Sequence, residues 1–543
     1  MALRKQHAVR FAAKGLSDAY DSTEAFEGSC RSLSNLVFDQ ANPELMICRP
    51  GVGAPITTFA SFTTPTYAHT YISIGSVVYG LVATGRNAGH DEPFAYDTNS
   101  AAFITISGVT SANTPISPST TGAWTPPSVA VVGKKIIITS AGFSGAGGNF
   151  FGIIDITTPA TPVWSGNNTA TNALPSVPTS VANLNNRAYF SVGNILYFSD
   201  SLDPLTRSAA SQSLTVGDPS LIVAQSGLPV QTTSAGVVQA LLVFKQFQVW
   251  QITGDLALSN LALNYLSLNV GTIAGRSVVQ TPYGTNFMGI DGPYIVDPYG
   301  AVRPLTKESK QNEQDVQVPF IYCQQPTRAA AGYSGGTYRI CVDTLLSSAL
   351  TTNDYWFDLQ KRRWNGPHTW PVDTMTQIGN YFVVSHRTLG AALYKSQLFP
   401  DQTTVYNDNG AAISFNLESS TFPKDPSMTE KMVVESTIEL SSAGAAVAYG
   451  IRAIDDQHTI LNAITLLVPA HGSIWGAFNW GAGYWSSNSN IPHVYNVNWT
   501  SPLVFQKMAL VVTGTASNNI AIGSFFARYQ DAGYMNASGL LGV

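Results

Sequence analysis

Charge is what this sequence has least of. Lys, Arg, Asp and Glu make up 11% of the 543 residues, against about 25% in an ordinary globular chain. The formal net charge of −5 leaves no basic footprint, which argues against a sequence-specific reader of nucleic acid. Cysteine is scarce as well. Cys30, Cys48, Cys323 and Cys341 fall in two distant pairs without CxxC spacing, so free thiols in a reducing cytoplasm are expected rather than disulfides. No run approaches the roughly 18 apolar residues of a membrane span. The opening MALRKQHAVRFAAKG is basic but lacks the apolar stretch of a signal peptide. Sequons at Asn167, Asn498 and Asn536 carry little meaning in a Ser/Thr/Asn-rich chain without such a signal. Catalytic motifs are missing too: there is no GxSxG, no HExxH and no sialidase-type Ser-x-Asp-x-Gly-x-x-Trp box. The glycine-rich FSGAGGNFFG (143–152) lacks the Lys-Ser/Thr of a phosphate loop and opens no helix, so it reads as a hairpin loop.

What remains is 44% hydrophobic, enough for a sizeable core. One helix is expected, Thr23 to Val37, from Phe26, Cys30, Leu33 and Val37 at three- and four-residue steps. After residue 65 the chain reads as strand and turn, in short runs of Val, Ile, Tyr, Phe and Thr punctuated by Gly, Pro, Asn and Asp. In GIDGPYIVDPYGAVRPLT (289–306), Asp291-Gly292 between apolar runs is a hairpin signal, because Gly takes the positive φ of a tight turn. A hairpin cannot bury its apolar face alone, and this one has companions. Similar units occupy 71–108, 134–164, 187–205, 240–255, 335–366 and 379–397. From Gly193 to Gln246 is 53 residues, and from Gln246 to Asp291 is 45, close to the roughly 40–50 of one propeller blade. Six or seven blades are expected, each hairpin forming the inner two strands and closing against its neighbours around a ring. YWFDLQKRRW (355–364) has the form of a kelch-type blade end, with a Trp packing between blades. Two prolines and alternating charge in TFPKDPSMTEK (421–431) mark a linker, and the period-two pattern beyond it predicts an antiparallel β-sandwich. The fold class expected is all-β, with an N-terminal arm (1–64), a β-propeller (65–425) and a C-terminal sandwich (426–543).

Side chains that bear chemistry are dispersed. His90, His368, His386, His458 and His471 have no ligand-spaced neighbours, and no metal or cofactor is expected. His90, Asp91 and Glu92 read as a solvated turn. Asp354 and Asp358 flank an aromatic strand, and a propeller glycosidase needs two or three inward-facing acids. Lys361, Arg362 and Arg363 form the densest basic cluster, a candidate phosphate contact at a channel lip. Trp475, Trp480 and Trp485 suit a subunit interface, where Trp is enriched, or a sugar-stacking platform.

Two distant regions resemble one family. KGLSDAYDSTEAFEGSCRSLSNLVFDQANPELMICRPG (14–51) has a Gly-x-Ser-Asp-x-x-Asp start, an Asn-Leu-x-x-Asp run and an Arg-Pro-Gly close. These resemble the opening of the tail nozzle, or tail tubular B-type, proteins of short-tailed bacteriophages, relatives in role of the packaged-DNA stabilisation proteins. WGAFNWGAGYW (475–485) and the final SPLVFQKMALVVTGTASNNIAIGSFFARYQDAGYM (501–535) are similar to the end of the same class. LLVFKQFQVWQITGD and GIDGPYIVD between them resemble its propeller. The resemblance implies a homohexameric tube in the virion tail, assembled in the host bacterial cytoplasm below the head–tail adaptor and portal. Tail fibres or spikes would be further partners. Double-stranded DNA would be retained there, and would pass through non-specifically during ejection. It implies no catalytic residues, so an enzyme is not expected. The alternative is a carbohydrate-binding or carbohydrate-cleaving propeller.

Overall fold

The computed structural model describes residues 5–531 apart from 12–13, 18–27, 86–88, 117–126, 146–147, 167–172, 233–235, 255–259, 307–317, 347–348, 402, 424–428 and 471–491. Of the described residues 56% are in strands and 2% in helices, and the fold contains a seven-bladed β-propeller. Each blade is a four-stranded antiparallel sheet. Blade 1 comprises Tyr67–Ile74, Val77–Ala83, Asp91–Asp97 and Ala102–Ile104. Blades 2 to 6 span 128–166, 180–215, 222–267, 279–304 and 330–368. Blade 7 has Val372–Ile378, Tyr381–His386 and Ala392–Gln397, and its outermost strand is Thr57–Thr58 from before blade 1. The ring is therefore closed by strands from opposite ends of the propeller sequence. At the seam the Thr70 N–H donates to Thr374 Oγ1 at 3.0 Å.

Each expected repeat unit falls in a blade of its own, but not in the strands assigned to it. In blade 5 the Asp291-Gly292 turn joins Gly284–Met288 to Pro293–Val296, the second and third strands. The Gly289 N–H donates to the Gly292 carbonyl at 2.8 Å, and Gly292 has φ 147°. These two strands are wholly buried, while Val279–Thr281 inside them and Val302–Pro304 outside are only partly so. The apolar hairpin is thus the middle of a blade, because only middle strands are covered by neighbouring blades on both faces. Trp364 behaves as expected of a blade end. It lies in the outermost strand of blade 6, is 1% exposed, and donates from Nε1 to the Leu305 carbonyl just beyond blade 5, at 3.0 Å. Trp164 does the same in blade 2, where a Cβ on Gly152 would come within 1.9 Å of its ring.

The ends of the chain build the second domain together. One seven-stranded sheet holds Lys5–Val9, Leu36–Phe38, Met46–Cys48, Lys431–Ser442, His493–Asn496, Val504–Phe505 and Ile520–Asp531. The other holds Gly15–Leu16, Ser29–Ser34, Asn407–Asp408, Ala411–Ser419, Val447–Ile454, Ile460–Val468 and Ala509–Ala516. Leu33, Phe415 and Tyr449 of the second share one core with Leu36, Ile438 and Phe525 of the first. The segment 1–64 is thus not a separate arm. It contributes strands to both sandwich sheets and closes the propeller. Residues 407–419, placed with the propeller by sequence, belong to the sandwich.

The expected helix at 23–37 is not formed over its described part. Ser29–Ser34 and Leu36–Phe38 are strands, broken at Asn35 with φ 56°. Cys30 pairs with Ser419 and Ser32 with Glu418, so Arg31 is an extra, bulged residue. The bulge puts Cys30 and Leu33 on the buried face three residues apart, a spacing that imitates a helix.

The Arg-Pro-Gly stretch is fixed within the sandwich beside Asn35, which reaches the propeller. Arg49, 3% exposed, donates to both carboxylate oxygens of Asp408 and, from Nε, to Asn35 Oδ1 at 2.9 Å. Asn35 in turn donates to the Ser414 carbonyl at 2.7 Å and to Thr369 Oγ1 at 2.9 Å. Gly51 leaves no room for a side chain, since a Cβ there would lie 2.2 Å from the Asn407 carbonyl oxygen.

Candidate functional site

The innermost strands of all seven blades surround a central cavity of about 650 Å³. Its wall is made largely of hydroxyl, amide and small apolar groups, and Arg276 is the charged residue among the described lining. No described carboxylate lines it.

Charge gathers instead at the end where the innermost strands begin. Asp373 opens the innermost strand of blade 7, beside His69 of blade 1. His69 Nε2 lies 2.8 Å from Asp373 Oδ2, and His69 Nδ1 lies 3.1 Å from the Tyr71 hydroxyl. Arg276 donates to the Asp373 carbonyl and the Arg328 carbonyl, both at 3.0 Å. Arg387 donates to the Val372 carbonyl at 3.2 Å, the Arg328 carbonyl at 2.9 Å, and the Asp343 carboxylate. Burial would raise the pKa of Asp373, but His69, Arg276 and Arg387 outweigh it and hold the carboxyl well below the usual range. Burial pushes the Tyr71 phenol well up. The cluster ties blades 5, 6, 7 and 1 together around the cavity mouth. Sequence reasoning missed it, because its residues come from segments up to some three hundred positions apart and each stands singly in the sequence.

The residues singled out from sequence lie elsewhere. Asp354 is buried between blades 6 and 7, accepting from Arg339 Nε at 2.7 Å and Trp356 Nε1 at 2.9 Å. Asp358 caps the following turn, accepting the N–H groups of Gln360 and Lys361 at 3.0 and 2.9 Å. Asp91 is not solvated; it is 3% exposed and accepts the Tyr67 hydroxyl at 2.9 Å. All four cysteines are free thiols, and burial pushes Cys323 up to about 11 and Cys48 and Cys341 to about 12. Such thiols are unreactive at neutral pH. Trp475, Trp480 and Trp485 lie outside the described residues.

Lys361, Arg362 and Arg363 occupy the turn into the outermost strand of blade 6, away from the central cavity. Lys361 and Arg362 are exposed there. Arg363 is not: it is 4% exposed, with its guanidinium 3.4 Å above the Phe38 ring of the sandwich. Burial lowers its pKa to about 10. Arg363→Ala is therefore expected to lose about 2 kcal/mol of stability, from a desolvated cation–π contact. Neutralising Lys361 and Arg362 should stay within about 0.5 kcal/mol. Urea unfolding of the three variants checks this, and equal effects would refute the assignment.

His386, at the end of a blade 7 strand, accepts at Nδ1 from the backbone of Thr388 and Leu389, both at 3.1 Å, and packs on Trp370. Burial pushes its pKa down to about 4, against the opposing pull of Asp408 and Asp373. Between about pH 6.5 and 4 the unfolded chain takes up a proton that the folded one refuses, so this residue makes stability fall as pH falls. His386→Asn should flatten that part of the stability–pH curve relative to the unaltered protein. Parallel curves would show that the imidazole is not held neutral.

No family model and no curated protein matches the chain. Solved structures similar to it are propeller proteins. An exo-β-1,3-galactanase from Phanerochaete chrysosporium aligns over 75% of this chain and 99% of its own, at 8% identity and a TM-score of 0.25. The propeller domain of the trilobed protease from Pyrococcus furiosus aligns over 62% and 99%, at 8% identity and 0.32. The GH32 β-fructofuranosidase of Bombyx mori aligns over 89% and 94%, at 8% identity and 0.27. These matches correct the expectation that the chain is not an enzyme. Glycoside hydrolases stand among the similar structures. At these scores the likeness is one of fold alone.

Proposed function

We propose that the chain is a subunit of a tail conduit of a short-tailed bacteriophage, an oligomeric tube below the head–tail adaptor through which packaged DNA is held and released. One observation carries this reading. The described parts of the two ends whose sequences resemble nozzle proteins, more than 350 positions apart, build a single sandwich docked on the propeller. Arg49 of the resembling segment is held within the sandwich by Asp408 and Asn35, and Asn35 reaches Thr369 of the propeller. The sandwich also presents partly exposed apolar edges: Ile460 and Leu467 on one terminal strand, and Val494 on another, are 55%, 66% and 63% exposed. Such edges suit burial against a further subunit. Native mass spectrometry of the purified protein, alone and with its adaptor, should find a ring of about six subunits. A monomer under both conditions would end this reading.

A second reading makes the propeller a carbohydrate-binding or carbohydrate-cleaving unit. It is favoured by the glycoside hydrolases among similar propellers and by a cavity walled with hydroxyl and amide groups. Glycan-array binding and release of reducing sugar by a monomeric preparation would favour it over the conduit.

A further inference from the structure

A second cavity, of about 460 Å³, opens between blades 6 and 7 beside the charged cluster, with Arg328, Arg387 and Asp343 in its lining. This volume is within the usual range for a site holding one small molecule, about 300–1,000 Å³. The two arginines play different parts. Arg387 has a side chain 4% exposed, and its guanidinium is held by Asp343 and the carbonyls of Val372 and Arg328. It forms the floor. The Arg328 side chain is 31% exposed. Its polar contacts to Gln325 Oε1, at 3.4 Å, and to Asp373 Oδ1, at 3.7 Å, are long. Both are longer than the roughly 2.7–2.9 Å of a strong charge-assisted hydrogen bond, so the guanidinium, which lines the cavity, keeps donor capacity for a carboxylate.

The local charge balance points the same way. Arg276, Arg328 and Arg387 face the two carboxylates they contact, Asp343 and Asp373. Asp343 is also held by the Thr352 hydroxyl at 2.5 Å. Three guanidiniums against the two carboxylates they contact leave one positive charge in excess, with Arg328 the most exposed of the three, and a counter-anion is favourable there. A monoanion neutralises that single excess charge, and a carboxylate matches the planar guanidinium with two parallel hydrogen bonds. Thr351, Asn353 and Thr388 add short hydrogen-bonding groups to the wall, and Pro371 adds an apolar surface.

We propose that this cavity binds a carboxylate-bearing sugar unit of the hexuronate type. The carboxylate lies on Arg328, and the ring hydroxyls face Thr351, Asn353 and Thr388. The lining of this cavity shares no residue with that of the central one, and the site does not rest on the conduit reading, so a mass measurement and a ligand titration fail independently.

The test is isothermal titration calorimetry of the whole protein with glucuronate and galacturonate, and with glucose, acetate and inorganic phosphate as comparisons. Uronate binding is expected, with glucose and acetate at least about tenfold weaker and phosphate weaker than uronate. Arg328→Gln should weaken uronate binding about tenfold or more with an unchanged circular dichroism spectrum. Arg328→Lys should recover part of it. Should Arg328→Gln fail to fold, Thr388→Val offers a second reading of the site, with weaker uronate binding expected. The proposal is overturned if neither uronate binds, if glucose or phosphate binds as well as uronate, or if the folded variants leave uronate affinity unchanged.

Discussion

Asp354→Ala is expected to destabilise the protein by about 3–5 kcal/mol, the usual cost of leaving one member of a buried ion pair without its partner. The side chains of Arg339 and Asp354 are 2% and 1% exposed. Arg339 bridges two blades, with Nε on Asp354, Nη1 on Ser396 Oγ at 2.7 Å, and its guanidinium over the rings of Trp356 and Phe382. Burial pushes the Asp354 carboxyl up while Arg339 and Trp356 pull it back down. Removing the carboxylate strands a guanidinium in a place water does not reach. The double variant Arg339→Met/Asp354→Leu removes both charges at similar volume and should recover most of the loss, since apolar replacements of buried pairs are often neutral or better. Chemical denaturation of the single and double variants decides it. A double variant as unstable as the single one would mean that the pair holds the blades through specific hydrogen bonds rather than through charge balance.

Phe59→Ala is expected to cost a similar amount, about 3–5 kcal/mol for a large ring deleted from a packed core, but with a local signature. Phe59 follows the closing strand and is fully buried. It meets Phe94 edge-on at 4.8 Å and shares a core with Val78 and Val82 of blade 1 and Val383 and Leu393 of blade 7. It therefore sits at the one seam where adjacent blades are distant in sequence. Hydrogen exchange should lose protection first in Ala392–Gln397 and Tyr67–Ile74, before blades 3 and 4 respond. Uniform loss around the ring would show that closure and the remaining blades unfold as one unit.

The repeat was legible because a blade's middle strands must be apolar on both faces and joined by a tight turn. Asp291-Gly292 and Gly193-Asn194 announce this locally. Trp364 was legible for a similar reason, since the turn and the ring that follows it lie within a few positions of each other. The segment 29–38 was misread because a bulge at Arg31 and the break at Asn35 shift the strand period towards that of a helix. A partner strand creates a bulge of this kind, and here the partner lies nearly four hundred positions away in Ala411–Ser419. Sequence grouped Arg363 with Lys361 and Arg362 as one basic cluster because its cover, Phe38, comes from the other domain.

The sequence by itself determined the β character, the blade-sized repeat and the turns that set it, because period-two patterning and glycine turns act over fewer than ten residues. Tertiary structure alone decided how the ring closes, that the two chain ends share one sandwich, and that Arg276, Arg328, Arg387, Asp343, Asp373 and His69 converge on one mouth. Those outcomes depend on which distant strands become neighbours when the circle is completed, and burying a seam is a property of the closed ring rather than of any segment.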